Sequence, residues 1–119
     1  IVSDYSVDFY EKEDGSRPVE EFISSLDAKM QIRVMRSIEL LEDFGPELRE
    51  PHSKNLKDGI FELRTKCGSN ITRTLYFFCI GKKIILTNGF VKKQQKTPTR
   101  EIDLAKKYRQ DYLKRNGGD

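Results

Sequence analysis

Apolar positions recur along the chain with two different periods. Between Tyr5 and Tyr10 they alternate, placing Tyr5, Val7 and Phe9 on one side, which predicts a half-buried strand. The charged, glycine-containing run from Glu11 to Ser16 then turns the chain. Ser16-Arg17-Pro18 opens a helix, because proline at the first helical position lacks only an N–H that would have no partner there. Val19, Phe22, Ile23 and Leu26 follow at helical spacing, and Asp27 reads as the N-cap of a second helix. Met30, Val34, Ile38 and Leu41 mark its apolar stripe, supplemented by Met35 and Phe44, until Gly45-Pro46 stops it.

A polar connection from Glu47 to Leu56 follows, and beyond it the apolar period falls from about 3.6 to about 2. Lys57-Asp58-Gly59 turns into a strand over 60–66. Gly68-Ser69-Asn70 leads to a second over 71–80, and Gly81-Lys82-Lys83 to a third over 84–90. Turns this short imply an antiparallel meander. Thr97 is expected to cap the last helix with Pro98 at its first position, and Ile102, Ala105 and Tyr108 give it one apolar stripe. Asn116-Gly117-Gly118-Asp119 reads as a frayed tail. The order β-α-α-β-β-β-α predicts an α+β fold in one domain over 1–119: a small antiparallel or mixed sheet, an N-terminal helical hairpin and a C-terminal helix.

Composition narrows the functional classes. The longest apolar stretch, Leu75 to Ile80, falls far short of the ~20 residues of a membrane span, so no membrane partner is expected. No apolar run near the start reads as a secretory leader. Cys67 and Cys79 match no zinc or redox spacing and are expected as reduced thiols in the cytoplasm. His52 is the only histidine, which excludes a two-histidine acid–base pair and a multi-histidine metal site within one chain. Neither a metal nor a cofactor is suggested. The net charge of +3 hides an asymmetry: residues 1–50 carry −7, residues 51–91 carry +5 and residues 92–119 carry +5. A basic C-terminal half suggests a face built for a polyanion.

The candidate chemistry lies among Arg64, Arg73, Lys92, Lys93 and Lys96. Arg64 and Arg73 sit within strands, where a guanidinium needs an anion partner or a cleft. Arg64 could equally be the ion-pair partner of Glu62 or of an acid on the helical hairpin. The cations of Lys92-Lys93-Gln94-Gln95-Lys96 precede a helix N-terminus, where they oppose the helix dipole but suit a phosphate. Tyr76, Phe78 and Phe90 could form a base-stacking platform or belong to the core.

Several strings resemble a known family. Pro51-His52-Ser53-Lys54-Asn55-Leu56-Lys57-Asp58-Gly59-Ile60-Phe61-Glu62-Leu63-Arg64 and Arg73-Thr74-Leu75-Tyr76-Phe77 resemble segments of HigB-type toxins of the RelE/ParE toxin–antitoxin superfamily. Gly89-Phe90-Val91-Lys92-Lys93-Gln94-Gln95-Lys96-Thr97-Pro98, with Glu101, Ile102 and Ala105, resembles a quite specific signature of that family. The resemblance runs from residue 5 to about 113, with Gly15, Pro18 and Phe22 in place near its start.

It implies a RelE-like fold and a ribosome-dependent endoribonuclease that cuts messenger RNA without a metal. A helix-turn-helix, HigA-like antitoxin would neutralise it, in a complex expected to be a heterotetramer. Cleavage by the 2′-OH needs a base, an acid and cations for the phosphorane. On this reading Arg73 and Arg64 clamp the phosphate, with Lys93 and Lys96 completing the catalytic set. Lys92, Lys54 and His52 bind RNA, and Tyr76 or Phe90 stacks on a base. Family members place a histidine or a C-terminal tyrosine near the phosphate; Tyr108, Tyr112 and His52 are the substitutes here, and the general base stays unassigned. The alternatives are a gyrase-inhibiting toxin of the same fold and a basic nucleic-acid-binding module.

Overall fold

The computed structural model describes residues 3–116; of the tail expected from Asn116 onward, Asn116 instead closes the last helix and donates to the Tyr112 carbonyl at 2.8 Å, and residues 117–119 lie outside the described residues. Its elements are β1 (Ser6–Phe9), α1 (Pro18–Ser24), α2 (Ala28–Phe44), β2 (Ser53–Lys57), β3 (Ile60–Cys67), β4 (Asn70–Cys79), β5 (Lys83–Val91) and α3 (Thr99–Asn116). The strands form one sheet in the order β1-β5-β4-β3-β2, with β1 parallel to β5 and every other pair antiparallel. The α+β class, the helical hairpin and the mixed sheet are as the periodicity predicts.

One strand was not expected. Ser53–Lys57 replaces part of the polar connection and pairs along the outer side of β3, with a register shift between Asn55 and Lys57. An edge strand needs neither alternation nor apolar content, and Leu56 is its only large apolar residue. The turn that follows was legible: Asp58 and Gly59 both have positive φ, 56° and 81°, the geometry for which a two-residue Asp-Gly hairpin loop is suited.

The sheet separates two apolar layers. On one face Val19 and Ile23 of α1 and Met30, Val34, Ile38 and Leu41 of α2 pack on Leu63, Tyr76, Ile84 and Leu86. Met35 and Phe44 do not join this stripe; each is 44% exposed, Met35 because it lies about 100° round the helix from Val34, and Phe44 as the last residue of α2. Asp27 caps α2 as expected, accepting from Met30 N at 2.8 Å. Gly45 ends the helix at φ 54°, and a Cβ there would sit 2.9 Å from Tyr5 Cδ1, so the stop is also where the segment leading into β1 passes closely. Cys67 packs on this face and Cys79 on the other, and both thiols are free.

On the opposite face Tyr10, Ile60, Leu75, Phe77 and Ile85 receive α3, which contributes only Ala105 as a fully buried residue. Polar tethers do much of the rest. Lys106 Nζ lies 2.5 Å from Asp58, Arg109 donates to the Asp58 carbonyl, and Tyr10 donates to Asp111. Among the described residues, no helix is long and apolar enough to cross a membrane.

Candidate nucleic-acid interface

β2 pairs with β3 only as far as Ser53 opposite Leu63, and one further bond joins Arg64 N to the His52 carbonyl. Beyond that point the outer side of β3 has no strand beside it. There a groove of about 980 Å³ opens between α2, the end of the β3–β4 hairpin and the loop leading to α3. Arg33, Arg36, Ser37 and Leu40 form its α2 wall. Pro51, His52 and Lys54 form a second wall, with Arg64, Thr65, Lys66, Ile71 and Arg73 from the sheet and Lys92, Gln95 and Lys96 from the loop. Eight of these residues are lysine or arginine and none is aspartate or glutamate. So many like charges in one concavity repel each other unless an anion joins them. A smaller cavity of about 350 Å³ shares Lys54, Arg73, Gln95 and Lys96 and runs on beneath the start of α3.

Beneath the groove lies a buried polar cluster. Arg64 and Arg73 are directly opposite each other in the β3–β4 register, on the face that carries Glu62. Two facing guanidiniums are unfavourable unless a carboxylate lies between them. Glu62, fully buried, fills that role: Arg64 Nε donates to its Oε2 at 2.8 Å, and Thr97 Oγ1 donates to Oε1 at 2.5 Å. Arg73 Nη1 reaches the same Oε1 at only 3.4 Å but donates to Thr97 Oγ1 at 2.8 Å, so its main route to the carboxylate is through that hydroxyl. Arg73 Nη2 donates to the Gln95 carbonyl at 3.1 Å, and its buried Nε has no partner among the described residues. One carboxylate between two guanidiniums leaves a local excess of positive charge under the groove floor.

This cluster corrects one expectation and refines others. Thr97 does not cap α3; its hydroxyl turns inward to Glu62, and the first helical bonds run from Glu101 N and Ile102 N to the Pro98 carbonyl. The ion pair of Arg64 with Glu62 is present, yet the Arg64 side chain stays 26% exposed, whereas Arg73 is 4% exposed with most of its donors engaged. Both arginines line the groove, but only Arg64 presents substantial surface to it.

Six of the nine sequence candidates come together here: His52, Lys54, Arg64, Arg73, Lys92 and Lys96. Lys93 is exposed on the same loop but lines neither cavity. Tyr76 is 1% exposed, stacks on Phe61 and shares a hydrogen bond with Ser53, so its ring is not free to stack on a base. Burial raises its phenol pKa. Phe90 is half-buried opposite Arg73 and packs on the α3-side core. The two tyrosines considered as substitutes for the general base lie outside the groove. Tyr108 stacks on Tyr10 with ring centroids 4.6 Å apart, and Tyr112 meets Phe77 edge-on. Arg33 and Arg36 were missed; the available signal was their position at i and i+3 beside the apolar stripe of α2. Among the described residues, no three His, Cys, Asp or Glu side chains converge as metal ligands.

Comparison with known families agrees with this architecture. Residues 21–110 match the family model "Phage derived protein Gp49-like (DUF891)", which runs from within α1 through most of α3 and takes in every groove-lining residue. No curated protein matches the chain. The chain belongs to the Gp49-like family of phage-derived proteins, a toxin-like family related to the RelE/ParE-type toxins.

Proposed function

We propose that the protein is a HigB-type toxin, a ribosome-dependent endoribonuclease that cuts messenger RNA in the cytoplasm and is held inactive by a helix-turn-helix, HigA-like antitoxin in a heterotetramer. The observation that carries this reading is the groove: eight lysines and arginines, two of them (Arg64 and Arg73) sharing a single buried carboxylate at its floor, and no aspartate or glutamate in its lining among the described residues. A phosphodiester backbone is the ligand such a lining fits best. Membership of a toxin-like family supports the same reading and implies an antitoxin.

In this scheme the part-exposed Arg64 and Lys96, which lines the same groove, hold the scissile phosphate and stabilise the charge that grows on it as the 2′-oxygen attacks. Guanidinium suits that task because its planar fork can meet two phosphate oxygens at once. Arg73, held beneath by Glu62, Thr97 and the Gln95 carbonyl, adds positive potential and fixes the loop that carries Lys92 and Lys96. Lys54, Lys92 and His52 grip the flanking backbone, and Lys93 meets RNA entering outside the groove. His52 is exposed on the groove wall and is the histidine available for proton transfer.

The test is mapping of messenger-RNA 5′ ends in bacteria after a brief pulse of expression, beside a Lys54→Ala/Lys96→Ala variant. Both lysines are exposed, so the variant should fold. New cuts within translated frames that vanish in the variant are the expected result. Growth arrest with intact messages would refute cleavage and point to gyrase.

A further inference from the structure

α2 carries two distinct stripes. The first, Met30, Val34, Ile38 and Leu41, is buried on the sheet. The second, Arg33, Arg36, Ser37 and Leu40, follows the spacing i, i+3, i+4, i+7 and lines the groove. The acids of the helix are sorted away from it: Glu39, Glu42 and Asp43 line neither cavity, and Glu42 Oε2 accepts from Val7 N on the far edge of the sheet at 3.0 Å. The basic stripe is also held in place. Thr65 Oγ1 donates to Ser37 Oγ at 2.8 Å, and Arg33 Nη1 donates to the Lys66 carbonyl at 3.3 Å, leaving four of its five donors for a ligand. Arg36 is exposed and has no carboxylate within 4.0 Å among the described residues.

We infer that α2 forms a second backbone-binding arm, in which Arg33 and Arg36 each take a phosphate of the same RNA strand that passes Arg64 and Lys96. This rests on the reading of the groove as an RNA site and extends it. The α2 wall and the Arg64–Lys96 wall bound one continuous concavity, so a single strand lying in it touches both. The contacts are sequence-independent, setting how much message the protein grips rather than which bases it prefers.

Fluorescence anisotropy with a labelled single-stranded RNA hexanucleotide, titrated at several salt concentrations, tests the inference. The probe carries a 2′-O-methyl group at every position to block cleavage. Each phosphate contact contributes about 0.7 to the salt slope for single strands. Arg33→Ala and Arg36→Ala should therefore each lower the slope by about 0.7 and weaken binding about fivefold at 0.1 M salt, and together about 25-fold. Lys29→Ala, an exposed cation on α2 that does not line the groove, should leave both values unchanged. For a dinucleotide, too short to span both walls, the double variant should match wild type. Unchanged slope in the double variant with normal wild-type binding overturns the inference alone. Loss of ribosome binding with unchanged hexanucleotide binding overturns it too, assigning the arm to ribosomal RNA. Failure of the wild type to bind RNA removes the underlying reading as well.

Discussion

Replacing Glu62 by glutamine is the sharpest perturbation of the buried cluster. The side chain keeps its size, so no cavity forms, but the carboxylate that faces Arg64 Nε at 2.8 Å and Thr97 Oγ1 at 2.5 Å loses its charge. Two guanidiniums are then left without their counter-ion. Removing one partner from a buried ion pair costs about 3–5 kcal/mol. Arg64, 26% exposed, can relax towards water, whereas Arg73, 4% exposed, cannot, so the lower end of that range is the better estimate. With each kcal/mol worth roughly 4 °C in a domain of this size, the expected fall in Tm is about 12 °C, read by circular dichroism in a low-salt, non-phosphate buffer. Added sulfate should recover part of the loss, because an anion bound only by the folded groove stabilises it by mass action. Arg73→Met should also destabilise, but Glu62→Gln/Arg73→Met should lose clearly less than the two single losses combined, since removing both buried partners relieves the charge that either change alone exposes. A Glu62→Gln protein melting within about 2 °C of wild type, or strict additivity in the double variant, would refute the assignment of Glu62 as the counter-ion of both arginines.

Two further predictions concern how the helices are held. Asp58 is held below its ordinary carboxyl range chiefly by the hydrogen bond from Lys106, and Asp111 by those from Tyr10 and Arg115. A lowered carboxyl stabilises the fold above its unfolded value and loses that contribution as pH falls through its folded value, so the α3 tethers should contribute fully at pH 7 and weaken progressively below about pH 4. Melting curves between pH 7 and 3 should show a weaker acid dependence in Asp58→Asn/Asp111→Asn, and an identical acid dependence would show the tethers to be inert. On the other face, Gly89→Ala would set a Cβ 2.5 Å from Phe22 Cδ2, where α1 approaches β5. Its urea midpoint should fall by an amount equivalent to about 1–3 kcal/mol, and adding Phe22→Leu should recover part of it. A neutral Gly89→Ala would mean that α1 stands further from the sheet.

Much of the fold was legible because each element carries its own local pattern. The α2 stripe, its Asp27 cap and the Gly45-Pro46 stop are properties of one helix, and the three central strands alternate between glycine-containing turns. β2 was hidden because an edge strand exposed on most positions shows almost no apolar pattern, leaving only the Asp58-Gly59 turn to announce that something must pair with β3. Tyr76 shows the converse. Its alternation marked a strand but not which layer its ring would enter, and the irregularity between Leu75 and Tyr76 in the β4–β5 pairing lies beside that choice. Periodicity identifies a strand; the partners on either side determine which of its residues meet solvent.

The site was legible only in part, for a reason specific to charge. Net charge summed along a segment ignores the angle at which each side chain leaves its helix. The sum of −7 over residues 1–50 therefore gave no sign that Arg33 and Arg36 lie on the groove. The arginine pair failed differently. Alternation placed Glu62 and Arg64 together, but Thr97, which carries most of the link from Arg73 to the carboxylate, arrives 35 residues after Glu62, and no local spacing encodes that meeting. The consequence is mechanistic. For Arg73 to clamp a phosphate directly it would have to leave Thr97 and the Gln95 carbonyl and release the loop that holds Lys92 and Lys96 in the groove. Arg64 gives up one bond to Glu62 at a partly exposed position, so it can turn to a phosphate while the floor beneath it stays intact. The two arginines, equivalent by sequence, are separated by burial into a ligand-facing residue and a residue that keeps the groove in shape.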